Sequence, residues 1–209
     1  MVRLLLVPSG EASSFRSNPE KISEYTMISR DPDYVGRAKA IRSLETKRRE
    51  QFASGQARPV QTGDVEFDAL LEKLTKTLGC PPSDITFGSL MVSDKIGDGS
   101  SREQAASSQK VLGGFANLAN EYATKRYRSN LINWGMLPFL IKEGELPFAN
   151  GDYLFFPQIR KAVEEKDDVI RGYVVGAEGL KEFEVALGEL TDDEREIILK
   201  GCLINYNRK

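Results

Sequence analysis

The stretch that most constrains what this chain can fold into runs from Ile85 to Glu103: an apolar run, a glycine turn and the start of a helix. Ile85-Thr86-Phe87-Gly88-Ser89-Leu90-Met91-Val92 reads as a largely buried strand. A glycine-rich turn follows over 93–99, and a helix is expected from about Ser101 to Leu112, stopped by Gly113-Gly114. Strand, glycine turn and helix together make a recurrent anion site. Glycines let the backbone approach a ligand, the unpaired N–H groups of the first helical turn point at it, and the helix dipole adds partial positive charge. Ser100 and Ser101 fall in that first turn, and Arg102 adds a fork of donors suited to a carboxylate or phosphate. A plainer reading competes, since Ser100 and Glu103 also spell a capping box that needs no ligand. The motif is neither a Walker loop nor Gly-x-Gly-x-x-Gly.

The rest of the chain predicts interspersed strands and helices, hence an α/β or layered α+β class. Leu4–Val7 is a short strand candidate and 8–34 reads as mostly irregular. A basic helix is expected from Gly36 to about Gln51, then a Gly- and Pro-rich loop over 52–63. Asp64 suits the cap of an amphipathic helix carrying Phe67, Leu70, Leu71, Leu74 and Leu78 on one face, ended by Gly79 and Pro81-Pro82. Phe115–Leu118 is a short strand, Glu121–Asn133 a helix, 152–156 a strand, and 157–166 a short helix opened by Pro157. Strands are expected at Val169–Val175 and Phe183–Leu187, and Thr191 with Glu194 announces a capped terminal helix.

Composition narrows the chemistry. The 209 residues contain no histidine, which removes the commonest general base and the commonest metal ligand. Cys80 and Cys202 are too few for a metal cluster and suggest no disulfide framework, so a reducing cytoplasm or organelle matrix is expected, and the cytoplasm is taken as the location. No apolar run approaches a membrane span, and the start does not fit a signal peptide. A net charge of −2 gives no support to nucleic-acid binding, and the basic clusters Lys47-Arg48-Arg49 and Lys125-Arg126 with Arg128 read as solvated helix faces. Tyr127 and Trp134 read as packing residues.

Gly97-Asp98-Gly99-Ser100-Ser101-Arg102-Glu103-Gln104-Ala105 resembles the Gly-x-Gly-Ser-Ser-Arg-Glu-His-Ala signature of the aconitase family swivel domain. Leu112-Gly113 is similar to the Leu-Gly that ends the family's motif helix. Tyr122 to Pro138, containing Asn130-Leu131-Ile132-Asn133-Trp134-Gly135, resembles its Asn-Leu-Ile-Asn-x-Gly stretch. Phe15-Arg16-Ser17-Asn18 and Ile22-Ser23 look like its Phe-Arg-Gly and Ile-Ser-Asn-Asn segments, and Leu190–Tyr206 resembles the C-terminus of bacterial aconitase-like hydratases.

The resemblance implies a swivelling three-layer β/β/α domain over residues 1–209, with 64–79 as a helical insertion, cut from the C-terminal part of a longer chain. It implies a hydro-lyase that dehydrates and rehydrates a hydroxy di- or tricarboxylic acid. A 4Fe–4S cluster would be held by other domains or a large partner subunit and not by this chain, leaving the isolated domain inactive. By position, Ser100 matches the catalytic base, and Ser101 and Arg102 match substrate-carboxylate contacts. A further substrate arginine falls at Arg42 by ungapped spacing, with Arg37 as the alternate.

Gln104 stands where the family has histidine, so a titrating role there is lost. Two other readings stay open. One is a free-standing small subunit of the isopropylmalate or homoaconitate dehydratase type. The other is a non-catalytic module that binds an anion or RNA.

Overall fold

The computed structural model describes residues 3–4, 6, 11–55, 61–99, 101–141, 146–176 and 179–208. In chain order the elements are β1 (Arg3–Leu4), α1 (Pro19–Ser23), α2 (Tyr34–Ala53), α3 (Val65–Leu78), β2 (Ser89–Ile96), α4 (Arg102–Val111), β3 (Gly114–Tyr122), α5 (Lys125–Asn133), β4 (Leu137–Ile141), β5 (Tyr153–Phe155), α6 (Ile159–Glu165), β6 (Ile170–Gly176), β7 (Gly179–Ala186), α7 (Asp192–Lys200) and α8 (Leu203–Tyr206). Among the described residues the strands form one mixed sheet in the order β1-β2-β3-β4-β7-β6-β5. Strands β1 to β4 are parallel and β5 to β7 antiparallel. The halves join through only two register pairs, Leu140 with Ala186 and Ile141 with Val185.

Strand pleating explains the layers. Successive side chains on β3 point to opposite faces. Ala119 packs with Ala105 and Ala106 of α4 and Tyr127 and Leu131 of α5. Its neighbour Leu118 packs instead with Phe139 of β4 and with Val174, Phe183 and Val185 of the antiparallel half. The Phe156 ring joins these strands, stacked on Phe139 at 4.6 Å and edge-on to Phe183 at 5.7 Å. Helices, parallel strands and antiparallel strands thus lie in successive layers, the α/β organisation expected from the sequence.

Helix α3 adds cover on the outside. Asp64 caps it by accepting from the Phe67 N–H at 2.9 Å, and Phe67, Leu71 and Leu74 are buried with Val175. Val174 and Val175 are adjacent on β6, so the core and α3 occupy its two faces. At the other end of the chain α7 carries the expected capping box, in which the Thr191 hydroxyl and Glu194 carboxylate each accept from the other's backbone N–H. Thr191→Ala should cost about 1 kcal/mol, measurable as a lowered urea midpoint with unchanged slope.

Several expectations need correction. The run 85–88 is not strand; β2 occupies Ser89–Ile96 and continues through the polar residues 93–95 to the buried Ile96, a stretch that read as turn. Cross-strand partners compensate their polarity: Asn120 donates to Asp94 and Lys95 pairs with Glu121 on β3. β3 extends to Tyr122, so α5 starts at Lys125 rather than at residue 121. The 8–34 stretch contains a 3-10 turn at Glu11–Phe15 and α1, which is capped by Asn18. β4 escaped notice because Pro138 interrupts its short apolar run.

The basic cluster of α2 is not a solvated face throughout. Arg48 is 3% exposed and Glu45 6%. The Arg48 guanidinium donates twice to the Glu45 carboxylate, at 2.7 and 2.9 Å, and once to the Pro82 carbonyl at 2.7 Å. Helix α2 has almost no apolar stripe, so this pair supplies a buried anchor that hydrophobic patterning could not reveal.

Candidate functional site

The loops after β2 and β3 leave the same, carboxyl-terminal edge of the parallel strands, the edge at which open α/β sheets present ligand sites. The loop after β2 is the glycine turn. Gly97 has φ +84° and Gly99 φ +129°, both in the region that disfavours any side chain. Ser100, the expected base, lies outside the described residues. Ser101 is the N-cap of α4, and its carbonyl accepts the first helical bond from Ala105 N–H at 3.0 Å.

The capping box expected of Ser100 with Glu103 lies outside the described residues. The Ser101 side chain makes no cap hydrogen bond. Glu103 turns its carboxylate outward and accepts from the Trp134 indole N–H at 3.1 Å. Backbone N–H groups in the first turn of a helix can serve an external acceptor. Arg102 is the first residue of α4 and is half-buried, and its Nε is buried with no hydrogen-bond partner among the described residues. The fold thus leaves this donor unsatisfied, at a cost that a bound acceptor would remove.

Arg42 is elsewhere. Its Nη1 donates to the Val111 carbonyl at 2.6 Å, at the C-terminal end of α4 where a cation complements the helix dipole. At 1.5 Å per residue, that end lies roughly 14 Å along the helix from Arg102. The structure therefore does not bring Arg42 to the glycine turn. The alternate, Arg37, is paired with Asp31.

The loop after β3 holds residues that sequence reasoning did not assign to this edge. Ala123 N–H donates to the Ile96 carbonyl at 2.8 Å, placing the start of α5 beside the turn. Thr124 caps α5 by accepting from Tyr127 N–H at 3.2 Å, and Lys125 and Arg126 are exposed in the first turn. No acidic residue shares that turn, so two cations sit at the positive end of a helix dipole, an arrangement that favours a nearby anion. Threonine at 124 was the available signal; the helix expected from residue 121 obscured it.

Tyr127 lies directly under the glycine turn. A Cβ placed on Gly97 would fall 2.1 Å from the Tyr127 ring. The ring is fully buried, as expected for a packing residue. Burial pushes its hydroxyl far above the ordinary tyrosine range. Its oxygen accepts from Asn117 Nδ2 at 2.8 Å, and Asn117 Oδ1 accepts from Gln109 Nε2 at 2.7 Å.

The family model of the aconitase C-terminal domain matches residues 86–144. This segment is similar to the aconitase C-terminal domain. The match runs from the residues before β2 through the glycine turn, α4, β3, α5 and β4, and so includes every element of the edge just described. Among solved structures, 3-isopropylmalate dehydratase of Methanocaldococcus jannaschii is 27% identical, with 60% of this chain and 66% of that chain covered and a TM-score of 0.36. This chain thus spans a little under two thirds of that protein's length. No curated protein matches the chain.

The residues do not fit a metal centre of their own. Among the described residues no three His, Cys, Asp or Glu side chains gather as a metal ion would require, and Cys80 and Cys202 are separate free thiols. No described helix is long and apolar enough to cross a membrane.

Proposed function

We propose that this chain is the swivel part of an aconitase-type hydro-lyase, acting on a hydroxy di- or tricarboxylic acid. One observation carries the reading: the family match falls on a glycine turn whose following helix begins with an arginine bearing a buried donor that has no partner among the described residues. Such a site suits a carboxylate. In this reading Ser101 and Arg102 hold a substrate carboxylate and Ser100 is the base. Ser100 Oγ, as alkoxide, takes the carbon-bound proton, and the hydroxyl on the neighbouring carbon departs as the double bond forms. A free serine is too weak an acid for that role. Helix N–H groups and the Arg102 guanidinium are preorganised charge that favours the alkoxide once water is excluded.

In this reading both the cluster and the group that receives the departing hydroxyl belong to other domains or to a large partner subunit. Closure of this domain over them would exclude water. Residues 64–79 are read as a helical insertion, the whole chain as one domain of a cytoplasmic protein, and the isolated domain as inactive. Arg42 takes no part in this site as the fold stands.

The test is turnover in the assembled enzyme, with citrate, homocitrate and isopropylmalate offered as substrates. Ser100→Ala should lower kcat by about 10²–10³, comparable with loss of one essential polar group in an active site. Arg102→Lys, which keeps the charge but not the fork, should raise KM. Near wild-type turnover in Ser100→Ala would remove the base assignment. Co-purification of this chain with a cluster-bearing protein would identify a free-standing small subunit.

A further inference from the structure

We propose that Tyr127 is the positioning residue of the glycine turn, held in register by a buried hydrogen-bond chain through Asn117 and Gln109. The inference rests on the reading of that turn as the substrate site. Three contacts carry it. The Tyr127 ring lies against Gly97 so closely that a Cβ there would fall 2.1 Å from Cδ1, 2.3 Å from Cγ and 2.7 Å from Cβ of the tyrosine. The ring is thus the floor on which the turn rests, three residues before Ser100.

The far end of the ring is tethered. Its hydroxyl accepts from Asn117 at 2.8 Å, and Asn117 accepts from Gln109 at 2.7 Å, whose amide also donates to the Ala116 carbonyl at 3.1 Å. Tyr127, Asn117 and Gln109 are each fully buried, so the chain is dry and has few alternative partners. Finally, the backbone of the same residue is fixed, because Thr124 Oγ1 accepts from Tyr127 N–H at 3.2 Å and Ala123 N–H is bonded to Ile96 at the end of β2.

The chain therefore joins the last turn of α4, the middle of β3 and the first turn of α5, and delivers their combined stiffness to one spot under Gly97. Movement of the ring moves the turn, and with it the residues read as base and carboxylate contacts. Tyr127 acts through Gly97 and not on the substrate. Its proton stays on throughout the working pH range, since burial raises the hydroxyl's pKa by more than the hydrogen bond donated by Asn117 lowers it.

The experiment compares Tyr127→Phe and Tyr127→Leu in the assembled enzyme, with turnover expressed per folded molecule. Phenylalanine keeps the floor and loses the tether; leucine loses both. A misplacement of about 1 Å costs roughly a hundredfold in rate, so kcat should fall about a hundredfold in Tyr127→Leu and about tenfold in Tyr127→Phe. KM should stay within about threefold, and the pH profile of kcat should be unmoved. A purely structural role would lower thermal stability in both variants and leave kcat per folded molecule at the wild-type value, which overturns the proposal. A shifted pH profile in Tyr127→Phe also overturns it, because Tyr127 would then be exchanging protons. Should the leucine variant fail to fold, the phenylalanine variant decides alone. The two readings fail differently: an active Ser100→Ala sinks the site, whereas an inactive Ser100→Ala beside fully active Tyr127 variants sinks the positioning role only.

Discussion

Glu45→Ala is expected to destabilise the domain by about 3–5 kcal/mol, the usual cost of breaking a buried ion pair by removing one partner. The carboxylate accepts four hydrogen bonds from three residues. It accepts two hydrogen bonds from Arg48, one from Arg49 at 2.5 Å and one from the Phe87 N–H at 3.3 Å. Arg49 is largely exposed, and losing its half of the network matters little. Arg48 is different, because alanine at 45 leaves a guanidinium buried with only the Pro82 carbonyl and the Phe52 ring for company. The diagnostic companion is Glu45→Ala with Arg48→Met. Replacing both partners by apolar groups removes the uncompensated charge, so the double variant should recover about half of the loss or more. Urea denaturation of the chain measures both. A double variant less stable than Glu45→Ala would mean that Arg48 holds α2 through its own contacts with Pro82 and Phe52, and that charge compensation is not what the pair supplies.

Gly135→Ala should be comparably severe. Gly135 has φ +65° and follows the C-cap of α5, so any side chain costs about 1–2 kcal/mol in backbone strain alone. A Cβ there would also fall 1.9 Å from the Gly201 carbonyl oxygen and 2.8 Å from its Cα. Those atoms are backbone at the end of α7 and cannot swing aside as a side chain tip could. Forced repacking of this kind adds about 1–3 kcal/mol, for a total near 3–4 kcal/mol. Gly151→Ala is the control: φ is +101° there, but nothing lies within 4 Å, so only the backbone term remains. A Gly135→Ala midpoint no lower than that of Gly151→Ala would show that the ends of α5 and α7 can separate without penalty.

Much of the candidate site was readable from residue order. The turn at Gly97 and Gly99, the helix behind it and the Asn-Leu-Ile-Asn-x-Gly stretch all fall where the sequence placed them, because glycine turns and helix stops are decided over a few residues of chain. Arg42 shows the opposite case. Its spacing from Ile22-Ser23 pointed to the substrate site, but spacing cannot say which end of α4 the helix α2 crosses, and α2 crosses at the end that offers Val111's carbonyl. Arg48 and Arg49 are adjacent in the chain, yet one is buried and the other exposed. Charge alone could not separate them; the position of Glu45 and Pro82 around α2 does.

What the sequence determined by itself was the local chemistry: a strand, a glycine turn with two serines and an arginine, and a helix, set among interspersed strands and helices of an α/β domain. Only the tertiary structure decided what surrounds that turn. It put the start of α5 beside it and the Tyr127 ring beneath it, brought the Trp134 indole to Glu103, and sent Arg42 away. The physical reason is range. Turn and cap preferences act within about four residues. By contrast, the floor of the turn, the buried hydrogen-bond chain and the partner of each arginine depend on strand register and layer packing between residues tens of positions apart.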